Sequence, residues 1–393
     1  MTNLVHRGIG ATLITGLLTT GVIAACSRDT LGMRGPGPAP VVGRKTLSVD
    51  PANPQALDRA LSRIADRRVI LVGETHDRYD HHQNQLAVIR ALHARGRDVA
   101  VGMEFFQSPF QPHLDSFLAG EVNEKQLLKR TEYYARWRYD YRLYRDILEY
   151  ARAQGIPLVA LNAPSELVAR VSREGLGTLT PEERAGLVVT PPGGEAAYEA
   201  RLRPVFELHG QMDEARFRRF ADVQRLWDAY MARAASDFLA ANPGKTLVIL
   251  AGSGHVVYPD AIPGRLAGLP PEEIAILATG PRERYAGGVP DMLFAERDLA
   301  LEPAGQIGME LAAQGDGVRV HRVRPQSPAE RAGFQTGDRI LSIAGERVSS
   351  IEDVRLALLD RGPGEELWVD WMRSDGRSRQ GKARRLSAPL TLL

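Results

Sequence analysis

Short apolar runs recur through the middle of the chain, each cut off by glycine or a polar residue. Arg68–Gly73 (RVILVG), Asp98–Phe105 (DVAVGMEF), Ile156–Asn162 (IPLVALN) and Lys245–Gly252 (KTLVILAG) lack the alternation of a half-exposed strand. Runs of this kind predict strands buried on both faces of a parallel sheet. Glu273–Thr279 (EIAILAT) predicts a fifth. Between them, Gln83–Ala94 and Tyr144–Gln154 carry the helical period. Asp213–Ala241 predicts a long helix with one apolar stripe through Phe217, Phe220, Trp227, Met231, Ala234 and Phe238. Gln224 interrupts that stripe, and a buried amide needs a partner. The alternation predicts an α/β domain over residues 51–285, a mainly parallel sheet flanked by helices. The Gly- and Pro-rich stretch between Gly175 and Glu199 predicts an excursion over the surface.

The period changes from about Pro303. Residues 300–387 hold several short strands and two short helices, with Ser327 placed to cap the first helix and Gly333 to end it. The run SPAERAGF, followed by GDRIL, resembles a PDZ domain of the bacterial type. That resemblance implies a small domain that adds a polypeptide C-terminus to a sheet edge. It places the carboxylate loop and first binding strand at Gln306–Glu310, with Ile307, Gly308 and Met309 as peptide-binding residues. The plainer reading is a PDZ domain that docks only on its own chain.

The first residues add a location. A short basic start precedes an apolar stretch, Ile9–Ala25, and then Cys26, the only cysteine. Residues 1–25 read as a signal peptide, too short for an ordinary membrane span. Ile23–Cys26 resembles the bacterial lipobox, which implies lipidation at Cys26. Residues 26–50, rich in Gly and Pro, read as a tether. The expectation is a body held at a membrane by its lipid anchor, in the bacterial cell envelope. Ser27 after the cysteine leans toward the outer membrane, facing the periplasm. Charged residues at 25% and hydrophobic residues at 44% suit a packed core. The net charge of +2 gives no general argument for nucleic acid.

Strands of a parallel sheet end on one edge, and ligands bind there. Here the runs end in Gly73-Glu74-Thr75-His76, Gly102-Met103-Glu104, Leu161-Asn162 and Gly252-Ser253-Gly254-His255. Two carboxylates, two imidazoles and an amide are thus delivered to one edge. Glu74 and His76 are two apart and face the same side of an extended chain. His82 shares a helix face with Leu86, Ile89 and His93, so it points toward the sheet. Each has a bland alternative: a hydrogen-bonded core histidine, an arginine partner for Glu104, or a cap in Asp80. Together they suit a divalent metal held by Glu74, His76 and His255. They equally suit acid–base work by Glu74 and Glu104. No HExxH, GxSxG or P-loop is present. A second zone, Glu132–Ala151, is dense in tyrosine. It reads as core packing or as a flat aromatic wall. Tyrosine can ligate haem iron, with Tyr144 first and Tyr139 and Tyr141 as alternatives. His209 is a further candidate.

In order and spacing, LVGETHDRYDHHQNQLAVIRAL, VGMEFF, the Trp137–Tyr144 segment, DVQRLWDAYMA and LAGSGHVVYPDAIPGRL resemble the ChaN family of haem-binding lipoproteins. That family lies within the wider Tiki, TraB and erythromycin-esterase group. The resemblance implies haem as cofactor, an iron-acquisition setting and a homodimer. It implies Tyr144, His209, Gln224 and His82 as cofactor-binding positions. The wider group also contains hydrolases, so a metal-dependent peptidase or esterase is the alternative, with the PDZ domain presenting a peptide. The PDZ domain itself departs from the family core and implies a protein partner.

Overall fold

The computed structural model describes residues 46–208, 213–315, 317–374 and 383–393. Cys26, the expected signal peptide and most of the tether lie outside the described residues, as does His209. Among the described residues no helix is long and apolar enough to cross a membrane.

The chain builds an α/β domain followed by an antiparallel one. The first sheet has seven strands: β1 (Leu47–Val49), β2 (Val69–Glu74), β3 (Val99–Gln107), β4 (Leu158–Asn162), β5 (Thr246–Gly252), β6 (Ile274–Thr279) and β7 (Met292–Phe294). Their order is β1-β7-β6-β2-β5-β3-β4, and every pair is parallel. All residues of β2, β3, β4 and β5 are buried. Alternation still sorts them by face. Ile70, Val72, Val101 and Met103 join one core layer; Val69, Leu71, Ala100 and Ile249 join the other. Helices Tyr79–Ala94 and Arg145–Gln154 cover the first layer, and the long helix Glu214–Ala241 covers the second. The chain leaves β2 for β3 and β4, returns to β5 between β2 and β3, then jumps to β6 beyond β2. The site lies where that direction reverses, at the carboxyl ends of β2, β5 and β3.

The predicted helices form, with shifts at their ends. The first crossover helix starts at Tyr79, not Gln83, so His81 and His82 lie inside its first turn. Asp80 is not its cap; Arg78 occupies that position without a side-chain bond. Asp80 instead takes Arg78 through both carboxylate oxygens and accepts from the Arg297 amide. Asp213 caps the long helix by accepting from Ala215 and Arg216. The stretch between Gly175 and Glu199 holds a one-turn helix, Pro181–Arg184, before a longer one, Glu195–Glu207. The short strands β1, at the sheet edge, and β7, beside it, were too brief to read from pattern.

The second sheet has six strands: β8 (Met309–Gln314), β9 (Gly317–Val323), β10 (Arg339–Ile343), β11 (Glu346–Arg347), β12 (Glu366–Ser374) and β13 (Ala383–Thr391). It is antiparallel, ordered β13-β12-β10-β9-β8 with β11 on β10. Ser327 caps helix Pro328–Arg331, and Ser350 with Asp353 forms a capping box on helix Ile351–Leu358. β8 is an edge strand, paired only to β9.

Helix Ile351–Leu358 is buried on two faces. Ile351, Val354, Ala357 and Leu358 pack in the second domain's core. Leu356 and, just past the helix, Leu359 belong to the core layer of the first domain. Charged pairs ring this contact: Lys129–Asp353 at 2.8 Å, Lys125–Glu346 at 2.7 Å and Arg145–Asp360 at 2.6 Å.

Candidate functional site

Glu74 ends β2, Glu104 lies near the end of β3, and Asn162 ends β4. β5 runs into a one-turn helix, Ser253–Val256, which carries His255. The common edge therefore gathers these side chains, and Glu74, His76, Glu104 and His255 are each no more than 5% exposed.

The carboxylate of Glu74 is hydrogen-bonded to Nδ1 of His76. One donor atom each from Glu74, His76 and Glu104 lie within 4.8 Å of one another. Glu104 Oε2 accepts the Gly252 amide at 2.7 Å, and its Oε1 lies 3.7 Å from His255 Nε2. His255 Nδ1 meets Asp228 Oδ1 at 2.6 Å, and Asp228 Oδ2 accepts the Tyr198 hydroxyl at 2.7 Å. The line Glu74–His76, Glu104, His255–Asp228 joins carboxylates and imidazoles in alternation. Burial alone would raise the Glu74 pKa. The adjacent His76, its hydrogen bond, and His82 and His81 together hold it below the usual carboxylate value. Glu74 Oε2 has no hydrogen-bond partner among the described residues.

Gly252 makes this approach possible. A Cβ there would stand 3.0 Å from His76 Cε1 and 3.6 Å from Glu104 Oε2. Gly73 serves the layer behind, where a Cβ would meet Val256 Cγ2 at 2.6 Å.

Two cavities meet at these residues. The first, about 240 Å³, is lined by His76, Glu104, Phe105, Trp137, Trp227 and His255, among others. Its wall is aromatic: the His76 ring lies 4.7 Å from that of Trp137 and 5.0 Å from that of Tyr139. Arg136 and Arg138 also line it. Arg136 is committed to Gln107, Glu132 and Glu166, whereas Arg138 is exposed and reaches the Ala135 carbonyl at 3.4 Å. The second cavity, about 170 Å³, is more polar and is lined by Glu74, Gln224, Asp228, Ser253 and Tyr258, among others.

The structure places the expected residues as follows. Of Glu74, His76 and His255, the first two share a donor cluster, and Glu104 completes it. His255 stands behind Glu104, oriented by Asp228. Tyr144 is fully buried. Its hydroxyl donates to the His76 carbonyl at 3.3 Å and accepts Trp137 Nε1–H at 3.1 Å. Burial, with Glu74 nearby, pushes its pKa well up. The phenol is thus committed behind the wall and lines neither cavity. Tyr141 is likewise fully buried, against Tyr133. His82 is buried against Tyr144, with Nδ1 on Gln85 at 3.2 Å and Nε2 on the His76 carbonyl at 3.2 Å. It supports the turn that carries His76 and does not line either cavity. Gln224 does line the second cavity and is 6% exposed. In the second domain, Ile307 is buried and Met309 opens the edge strand. Gly308 takes φ +78° against Ser327, which favours glycine.

The sequence reading missed Asp228. It lies four residues after Gln224 on the long helix, so the two share a face. A second polar residue on a buried stripe was the available signal.

A profile of the family described as haem-binding uptake, Tiki superfamily, ChaN matches residues 60–266, and a PDZ domain profile matches residues 319–372. A curated relative, a probable periplasmic serine protease do/HhoA-like of Haemophilus influenzae, is 32% identical over 83 residues. That match covers 20% of this chain, which spans only 18% of the relative's length. Among solved structures, ChaN of Campylobacter jejuni with cofacial haem is 18% identical with a TM-score of 0.42. It covers 60% of this chain and 94% of that one. A mutant erythromycin esterase EreC in its open conformation is 15% identical with a TM-score of 0.36, covering 71% and 83%. The family profile takes in more than half of the chain, including every residue of the strand-end cluster, and the protein is a member of the ChaN family of the Tiki superfamily with a PDZ domain appended.

Proposed function

We propose that this protein binds haem in its α/β domain, as a lipid-anchored protein of the cell envelope serving iron acquisition, and uses its PDZ domain to recruit a polypeptide. The observation that carries the reading is the first cavity, an aromatic recess with a cationic rim inside a haem-binding family. Its chemistry fits haem. Phe105, Trp137 and Trp227 offer apolar faces to a macrocycle, and Arg138 offers a cation to a propionate. Its volume is below the roughly 300–1,000 Å³ of pockets that enclose whole ligands. The recess therefore takes part of a porphyrin, and a second copy of the chain would cover the rest. When bound, haem supplies an iron centre. The protein's own part is to stack against the ring, neutralise its carboxylates and hold His76 through Glu74. Titration of haemin into the purified protein should give a saturable Soret shift near one equivalent. Trp137→Ala and Arg138→Glu should each weaken it about tenfold. A spectrum that never saturates would remove haem as the ligand.

A second reading rests on the cluster of Glu74, His76 and Glu104. Three converging donors, and a buried Glu74 oxygen without a partner among the described residues, fit a divalent metal. A metal there would polarise a substrate carbonyl or lower the pKa of water. His255, oriented by Asp228, would exchange a proton at Nε2, and the chain would be a metal-dependent peptidase or esterase. Elemental analysis should then find one divalent ion per chain, lost in Glu74→Gln.

A further inference from the structure

We infer that the PDZ domain is also a sensor: a polypeptide C-terminus in its groove alters ligand affinity in the aromatic cavity of the α/β domain. The inference rests on the proposed ligand site but goes beyond it, because the coupling runs through one helix and one strained segment.

The helix is Ile351–Leu358. A peptide added to β8 would lie between that strand and the face bearing Ile351, Val354 and Leu358. The opposite face, Glu352, Arg355, Leu356 and then Leu359, follows the helical spacing of three and four. It meets the segment Tyr133–Arg138. The Arg355 guanidinium stands 5.2 Å from the Tyr134 ring centroid and reaches the Arg138 carbonyl at 3.5 Å.

The segment has its own second side. Tyr133, Arg136, Trp137 and Arg138 line the aromatic cavity. It is also bracketed by two non-glycine residues with left-handed backbone, Glu132 at φ 51° and Arg138 at φ 74°. Such conformations are disfavoured for residues with a side chain and persist only where surroundings hold them. The PDZ helix is part of those surroundings. A groove that opens to admit a strand moves the support of Arg138, and with it the cavity wall. Linkage makes the effect reciprocal, and couplings of this kind are typically about 5–150-fold.

The test uses the purified full chain, haemin, and a synthetic ten-residue peptide ending in a free valine carboxylate. Its C-terminal amide is the control. The acid peptide should change the haemin Kd at least fivefold, haemin should change the peptide Kd by the same factor, and the amide should do neither. Unchanged Kd values with both ligands bound would overturn the coupling. Hydrogen exchange of residues 131–144 separates this from failure of the haem reading, because it needs no haemin: occupation of the groove should alter protection there. To occupy the groove whatever the peptide's affinity, Met309→Cys is alkylated with N-ethylmaleimide beside wild type treated alike, whose single cysteine is Cys26. Exchange in residues 131–144 that is the same in both alkylated proteins would also overturn it.

Discussion

Asp228 Oδ1 lies 2.6 Å from His255 Nδ1, and that contact leaves His255 Nε2 facing Glu104. The second Asp228 oxygen is taken by Tyr198. Asp228→Asn keeps the shape but can offer its NH2 to Nδ1, reversing the ring's tautomer. We expect the nitrogen chemical shifts of His255 to report the reversed tautomer. Any metal or hydrolytic activity should fall at least tenfold, with the fold retained.

Gly252 is the backbone floor of the cluster. Gly252→Ala puts a methyl 3.0 Å from His76 Cε1, so the imidazole must retreat from Glu104. Circular dichroism should stay unchanged while divalent metal affinity drops by 10-fold or more. Undiminished affinity would place the metal elsewhere.

Tyr144→Phe distinguishes a strut from a ligand. The phenol bonds the His76 carbonyl and Trp137, so its loss should cost about 1 kcal/mol of stability. The haemin Soret band should persist in this variant. A lost band with unchanged melting would restore Tyr144 as the iron ligand.

His81 gives the fold an acid limit. Its ring is buried, and Nδ1 accepts the Thr75 amide at 3.0 Å, which requires the neutral form. Burial, only partly opposed by Asp80 and Glu74, lowers its pKa to about 4. The unfolded chain therefore binds the extra proton first. Stability is full above about pH 6.5 and falls as pH drops toward 4, by up to about 3 kcal/mol from this residue. Denaturant midpoints across that window should flatten in His81→Gln, once the constant cost of the substitution is subtracted.

Leu356 belongs to a PDZ helix but is buried in the α/β core layer. Leu356→Ala should cost about 2–5 kcal/mol. Calorimetry should resolve one transition in wild type and two in the variant. A single, merely lowered transition would mean that the domains do not melt through this contact.

The strand ends were legible because apolar runs stop in residues with little reason to be buried: Glu74, Glu104, Asn162 and His255. Parallel topology then brings those ends together without any knowledge of side-chain direction. Asp228 was hidden because it comes from a helix side, not a strand end. Tyr144 was readable as a tyrosine near a helix start, but not as a phenol turned inward onto His76. The direction of that ring is set by Phe105, His82 and Trp137, which arrive from three different elements. The PDZ helix shows one ordinary amphipathic pattern in sequence, because Leu356 and Leu359 read as core without saying whose core.

The two-sided burial of helix Ile351–Leu358 bears on how freely these domains can be exchanged between proteins. A PDZ domain from another chain could supply the sheet and the groove and still leave Tyr134 without its cover. A successful transplant would have to carry residues equivalent to Glu352, Arg355, Leu356 and Leu359 on the outer side of its helix. Divergence on that outer side is therefore tied to the α/β domain, while the groove-facing side is free to follow whatever polypeptide it meets.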